Sequence, residues 1–213
     1  DGTMLRMFPK DVYRMGFEPS NLAQGAPTER GMYVHKCYFP PVMPPDAPPM
    51  GGLPGCKIIT SIAMFYDVDD PNAFVSAIRD WLHPDGIWVV QFQDLQAMVK
   101  CNGFDNICHE HLTYWSHFAF EQLVARHGLR IDDYSYNATN GGSVRYIVKH
   151  GKQEPEPRRF SEAFSHAFEL MTFSARVRHL REATMGLLIQ LNLEGKKVLG
   201  YGASTKGNTT LQY

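Results

Sequence analysis

Two apolar runs on either side of a capped helix constrain this chain more than any other feature. Lys57 to Phe65 (KIITSIAMF) is almost continuously apolar, the pattern of a strand buried on both faces. Asp70-Pro71 then opens a helix through Leu82, with Asp70 as its cap and Pro71 in its first position. Its apolar residues are Phe74, Val75, Ile78, Trp81 and Leu82. His83-Pro84-Asp85-Gly86 terminates that helix, and Ile87 to Phe92 (IWVVQF) forms a second buried strand. Strands alternating with helices predict an α/β fold with a mainly parallel sheet.

The flanking segments extend the pattern. Val12 to Phe17 and Met32 to Phe39 read as strands, and Ser20 caps a helical start over 20–25. Pro40 to Gly55 holds seven prolines and three glycines, so it predicts a long loop. A helix around Ala119 to His127 precedes strands at Leu129–Asn137 and Val144–Lys149, joined by a Gly141-Gly142 turn. Those two strands predict an antiparallel hairpin added to the parallel sheet. After a polar linker at Gln153 to Arg159, apolar residues from Phe160 to Leu191 recur every three or four positions, predicting one long amphipathic helix. Within it Phe160, Phe164 and Phe168 are expected to pack as core. Lys197 to Tyr201 predicts a last strand entering the glycine-rich turn of residues 202–208.

Composition narrows the function classes. Twenty-one Lys and Arg against 22 Asp and Glu leave a net charge of −1, which argues against a non-specific nucleic-acid binder and against a polybasic membrane anchor. The apolar runs fall far short of the ~18 residues of a membrane span. Cys37, Cys56, Cys101 and Cys108 are scattered without a CxxC pair, as expected of reduced thiols in a cytoplasmic protein. The chain opens on Asp1 rather than Met and stops at Tyr213 just after a glycine-rich turn, so the expectation is an internal piece of a longer protein.

Ligands of a parallel sheet sit beyond the carboxyl ends of its strands, so the segments after strands are where chemistry is sought. Asp1-Gly2-Thr3 has the form of the tail of a glycine-rich loop, and Glu18-Pro19 follows a strand. A carboxylate there can accept both hydroxyls of a ribose; an ordinary turn glutamate is the alternative. His109-Glu110-His111, with Tyr114 and His117 close behind, is the densest group of acid–base side chains. In an extended segment His109 and His111 would share one face. Three readings stay open for it: a histidine base held by its carboxylate, a His-x-His metal pair, or a polar surface loop. Gly200 to Asn208 (GYGASTKGN) is either a phosphate cradle or a tight turn into a helix.

Five segments in this order carry a resemblance: Asp1-Gly2-Thr3, Gly16 to Ser20 (GFEPS), Phe104 to Tyr114 (FDNICHEHLTY), Asn140 to Arg145 (NGGSVR) and Gly200 to Thr209 (GYGASTKGNT). Together they resemble the S-adenosylmethionine-dependent sugar C-methyltransferases that act on nucleotide-linked 4-keto-deoxyhexoses. The resemblance implies a Rossmann-like class I methyltransferase sheet over residues 1–150 lacking its first strand, a linker and long helix over 151–195, and the start of a C-terminal Rossmann-like nucleotide-sugar domain over 196–213. It implies zinc only in an N-terminal domain outside this chain. It assigns Asp1, Gly2, Thr3, Glu18 and Pro19 to the cofactor, and His111 as base with Glu110, His109 and Tyr114 beside it. The nucleotide sugar falls to Asn140, Gly141, Gly142, Ser143, Arg145, Tyr201, Gly202, Ser204, Lys206 and Asn208. Cys108 stands where the family often has tyrosine. Two other readings are a non-catalytic nucleotide or nucleotide-sugar binding piece and, from the terminal glycine turn, a dinucleotide-dependent oxidoreductase.

Overall fold

The computed structural model describes residues 2–26, 29–41, 55–154, 160–202 and 204–213, with the backbone alone over 160–166. Asp1, nearly all of the proline-rich loop and most of the 153–159 linker lie outside the described residues. The chain divides into two units, Asp1–Gly52 and Leu53–Tyr213.

In the first unit β1 (Arg14–Phe17) pairs in parallel with β2 (Met32–His35), in register from Arg14 opposite Met32 to Phe17 opposite His35. Both strands are shorter than the apolar runs that predicted them, because the ladder supplies partners over only these four residues. The Ser20 hydroxyl accepts from Leu22 N at 3.2 Å and opens a 3-10 turn over Asn21–Gly25, so the expected cap forms.

The second unit is built on a four-stranded sheet ordered β3-β4-β6-β5. Here β3 is Cys56–Ile62, β4 Leu82–Gln93, β5 Leu129–Asn137 and β6 Ser143–His150. The β3–β4 pair is parallel; β4–β6 and β5–β6 are antiparallel, which is the predicted hairpin docked on a parallel pair. Helix α1 (Pro71–Trp81) begins where its cap predicted, the Asp70 carboxylate accepting from Ala73 N at 3.0 Å. Helix α3 (His117–Arg126) precedes β5. On β4, Trp88, Val90 and Phe92 are buried at alternate positions. They join Phe65, Phe74, Phe120 and Tyr146 in an aromatic core with ring centroids 4.6–6.3 Å apart. Trp88 Nε1 donates to Ser61 Oγ at 3.1 Å, so the largest of these side chains is buried with its polar atom satisfied.

Four expectations need correction. Among the described residues β4 alone pairs with β3, which is therefore an edge strand rather than one buried on both faces, and Ile58 remains 49% exposed. The 83–86 turn is a bulge inside β4, whose register jumps from Leu82 opposite Cys56 to Ile87 opposite Ile58. Helix α4 (Phe160–Leu193) runs over the predicted length, but its apolar residues form no buried face: Phe168, Met171, Leu180, Leu187 and Leu188 are exposed and Val177 is buried; the side chains of Phe160 and Phe164 lie outside the described residues. Lys197 to Tyr201 forms no strand and is exposed, because no described strand lies beside it to complete a ladder.

A short helix not expected from the sequence, α2 (Leu95–Lys100), follows β4. Its cap is Asp94, which accepts from Ala97 N at 2.8 Å. Arg176 of α4 closes its other end, donating to Val99 O and Asn102 Oδ1, both at 2.7 Å. A cation on the final carbonyls of a helix is favourable both as a donor and against the helix dipole. The last helix, α5 (Thr205–Gln212), is capped by Ser204, whose Oγ accepts from Gly207 N at 3.0 Å. Among the described residues no helix is long and apolar enough to cross a membrane.

Candidate active site

The carboxyl end of β3 leads into the first part of the site. Ala63 takes φ +54°, a conformation rare for a residue with a side chain, and a 3-10 turn over Phe65–Asp67 follows. The turn presents the Tyr66 carbonyl, which accepts from Leu112 N at 2.9 Å, Thr113 N at 3.1 Å and Thr113 Oγ1 at 3.3 Å. Three hydrogen bonds to one carbonyl fasten the loop after α2 to the end of β3. They bring the Tyr66 and His111 rings to 4.2 Å between centroids. Tyr114 lies 6.5 Å from His111 and donates from its hydroxyl to Asn106 O at 3.3 Å. Tyr66, Gln93, Leu95, Met98, His111 and Tyr114 line a small cleft.

The His109-Glu110-His111 segment is a turn, closed by His111 N donating to Cys108 O at 3.2 Å, rather than the extended stretch that would align its two histidines. His109 is exposed and His111 half-buried. Burial, and then the positive charge of Lys206, lower the pKa of His111; hydrogen bonding at the Asn106 backbone and the charge of Glu110 oppose them. The imidazole is therefore neutral at pH 7 and able to accept a proton. Burial foremost raises the phenols of Tyr66 and Tyr114, so both stay protonated as donors. Asp67, which the sequence did not single out, is exposed as a residue, yet its carboxyl group is pushed up to about 6, by partial burial first and by Glu110 second.

The C-terminal glycine-rich segment reaches the same place. Thr205 Oγ1 donates to Glu110 Oε1 at 3.1 Å across 95 residues of sequence, and Lys206 is near enough to act on His111. The tyrosine ring of Tyr213, at the other end of α5, packs 5.2 Å from Phe104. Two motifs that the sequence offered separately thus meet at one site. Thr205 was missed because nothing local marks a threonine at a helix start as a partner for a distant glutamate. Of the other residues in this segment, Tyr201 is fully exposed, Gly202 has φ +148°, and Asn208 accepts from Gln212 Nε2 at 3.2 Å.

The hairpin turn is committed to the fold. Asn140 O accepts from Gln93 Nε2 at 3.2 Å, and Gly142 O accepts from Asp94 N at 3.2 Å. Ser143 is buried with its hydroxyl donating to Thr139 O at 2.9 Å, while Gly141 is exposed at φ +82°. Arg145 is exposed and donates through Nε to Gln91 Oε1 at 3.0 Å.

In the first unit Glu18 sits at the carboxyl end of β1, its backbone N donating to His35 O at 2.9 Å. Its carboxylate accepts from Ser20 N at 2.9 Å across Pro19, and hydrogen bonding at Ser20 holds its pKa down. Gly2, at φ +75°, accepts from Arg6 N at 3.2 Å, and Thr3 is exposed. An ionised carboxylate with acceptor capacity left over, at the end of a parallel strand, can accept from both hydroxyls of a ribose diol.

Comparison with known proteins identifies the family. Residues 4–134, more than half of the chain, match the model of a methyltransferase domain. The chain belongs to the methyltransferase-domain family. Residues 138–213 match the C-methyltransferase C-terminal domain, so β6, α4 and α5 fall in a region named for transfer to carbon. The C-methyltransferase NovU of Streptomyces niveus is 26% identical over 99% of this chain and 52% of its own length. The chain thus spans about half the length of this curated relative. Solved structures show the same α/β methyltransferase fold at low identity. A chain from the complex of the Haloferax volcanii Trm112 methyltransferase activator with a methyltransferase aligns at TM-score 0.55 and 16% identity, over 71% of this chain and 78% of that one. The N-methyltransferase NodS of Bradyrhizobium japonicum aligns at TM-score 0.50 and 8% identity, over 71% and 81%.

Proposed function

We propose that this chain is the methyl-transferring part of an S-adenosylmethionine-dependent C-methyltransferase whose substrate is a nucleotide-linked 4-keto-deoxy sugar. The observation that carries the reading is the placing of His111 beside Tyr66 and Tyr114 and next in the chain to Glu110, which Thr205 holds. A carbon beside a ketone becomes a nucleophile only after it loses a proton. His111 takes that proton at the sugar carbon next to the 4-keto group, and the electron pair moves to the ketone oxygen as an enolate. Glu110 stabilises the imidazolium that results. Tyr114, or His109, donates to the enolate oxygen. Arg145 and Lys206 are cations suited to the phosphates of the nucleotide. Gly2, Thr3, Glu18 and Pro19 would hold S-adenosylmethionine, which when bound supplies an electrophilic methyl group.

The base is tested in the full-length protein by His111→Asn. With a nucleotide-linked 4-keto-deoxyhexose, both methylation and exchange of the acidic sugar hydrogen with deuterated water should fall by ~10²–10⁴, the usual contribution of a general base. S-adenosylmethionine affinity should be nearly unchanged. Exchange at the wild-type rate would remove His111 from the role.

A further inference from the structure

We propose that Thr205 is a positioning residue for the His111 base, its hydroxyl holding Glu110 through the 3.1 Å hydrogen bond that ties the start of α5 to the base loop. The proposal rests on the reading of His111 as base. Glu110 has to stand beside the imidazole at the moment it becomes charged, yet it belongs to an exposed turn. A glutamate side chain on a turn samples several rotamers, and each misplaced one removes a counter-charge from the imidazolium. The Thr205 hydroxyl narrows that set.

The donor is itself held. Ser204 caps α5 through Gly207 N, so the helix start is fixed one residue before Thr205. At the far end of α5, Arg181 of α4 donates from Nε to Tyr213 O at 2.5 Å, with its guanidinium 5.8 Å from the Tyr213 ring centre. That ring packs on Phe104, in the 3-10 turn Phe104–Asn106 that starts the base loop. Helix α5 is therefore docked at both ends, and the two contacts to the base loop fall on either side of Tyr114's acceptor, Asn106 O. The groups acting on His111 then divide by origin. Glu110, Asn106 and Tyr114 come from its own loop, and Tyr66 comes from the turn after β3. Lys206 comes from α5 and follows Thr205 directly, so one helix positions both charged neighbours of the base.

The test uses the full-length protein with Thr205→Val and Thr205→Ser, assayed for exchange of the sugar hydrogen with deuterated water beside His111→Asn. Thr205→Val should lose roughly tenfold in kcat and in exchange at little-changed KM, the scale of one hydrogen bond to a charged group. Thr205→Ser, which keeps the hydroxyl, should recover most of that loss. Wild-type exchange in Thr205→Val, or equal losses in both variants, overturns the positioning role. If His111→Asn itself exchanges normally, the base reading fails instead, and the two failures are told apart.

Discussion

Gly142 offers the sharpest test of whether the Asn140-Gly141-Gly142-Ser143 turn is there for the fold. Its backbone stands at φ +125°, ψ 108°, where a residue with a side chain is strained. A Cβ built on it would lie 2.4 Å from the Cβ of Ala97 in α2, well inside contact distance. Gly142→Ala therefore adds backbone strain of about 1–3 kcal/mol. Forcing α2 away from the turn adds a further cost of about 1–3 kcal/mol, that of an overpacked methyl. The turn also supplies the carbonyl that accepts from Asp94 N, and Asp94 caps α2, so displacement there cannot be absorbed cheaply. Urea unfolding of the full-length protein should show a lower midpoint at constant m, corresponding to a loss of about 2–6 kcal/mol. Ala97→Gly opens space at the same contact and alone costs up to about 1 kcal/mol of helix propensity. In the double variant the steric part of the loss disappears while the φ strain remains. The pair should thus be less destabilised than the sum of its singles by about 1–3 kcal/mol. A Gly142→Ala loss below about 0.5 kcal/mol, the range of an ordinary surface substitution, refutes the argument, and so does strict additivity of the pair.

The carboxyl of Asp67, pushed up to about 6 from an ordinary 3.8, favours the folded state when protonated. That stabilisation is complete below about pH 4 and is lost as pH rises through the folded value. Asp67→Asn should match the wild type near pH 4 and be the more stable of the two at pH 7; a variant with no advantage at pH 7 contradicts the raised value. Glu18→Ala in the full-length protein should weaken S-adenosylmethionine binding by ~1–3 kcal/mol, the scale of a charge-assisted hydrogen bond. Isothermal titration showing wild-type affinity takes Glu18 out of the cofactor site.

Much of this protein was legible in its sequence wherever the signal is local. The Asp70-Pro71 start of α1, the Ser20 cap and the Gly141-Gly142 turn are each encoded within a few residues, because caps and turns satisfy backbone groups nearby in the chain. The identities of His109, Glu110 and His111 were equally plain, and they drew attention to the loop that forms the site. Tertiary structure decided whatever depends on which distant segment arrives. The apolar run of β3 looked like a central strand, but a strand's burial is set by its neighbours, and among the described residues β4 is its only partner. Lys197 to Tyr201 had strand composition, but no strand among the described residues offers it a ladder. Helix α2, six residues long, is held by the Asp94 cap and by Arg176, from the far side of the chain. The histidine segment closed into a turn and so separated the environments of its two imidazoles. Tyr66 reached His111 through hydrogen bonds spanning 47 residues, and Thr205 reached Glu110 across 95. A residue's chemistry is written in its type, but its pKa and its partners are set by burial and by charges that only chain closure brings near.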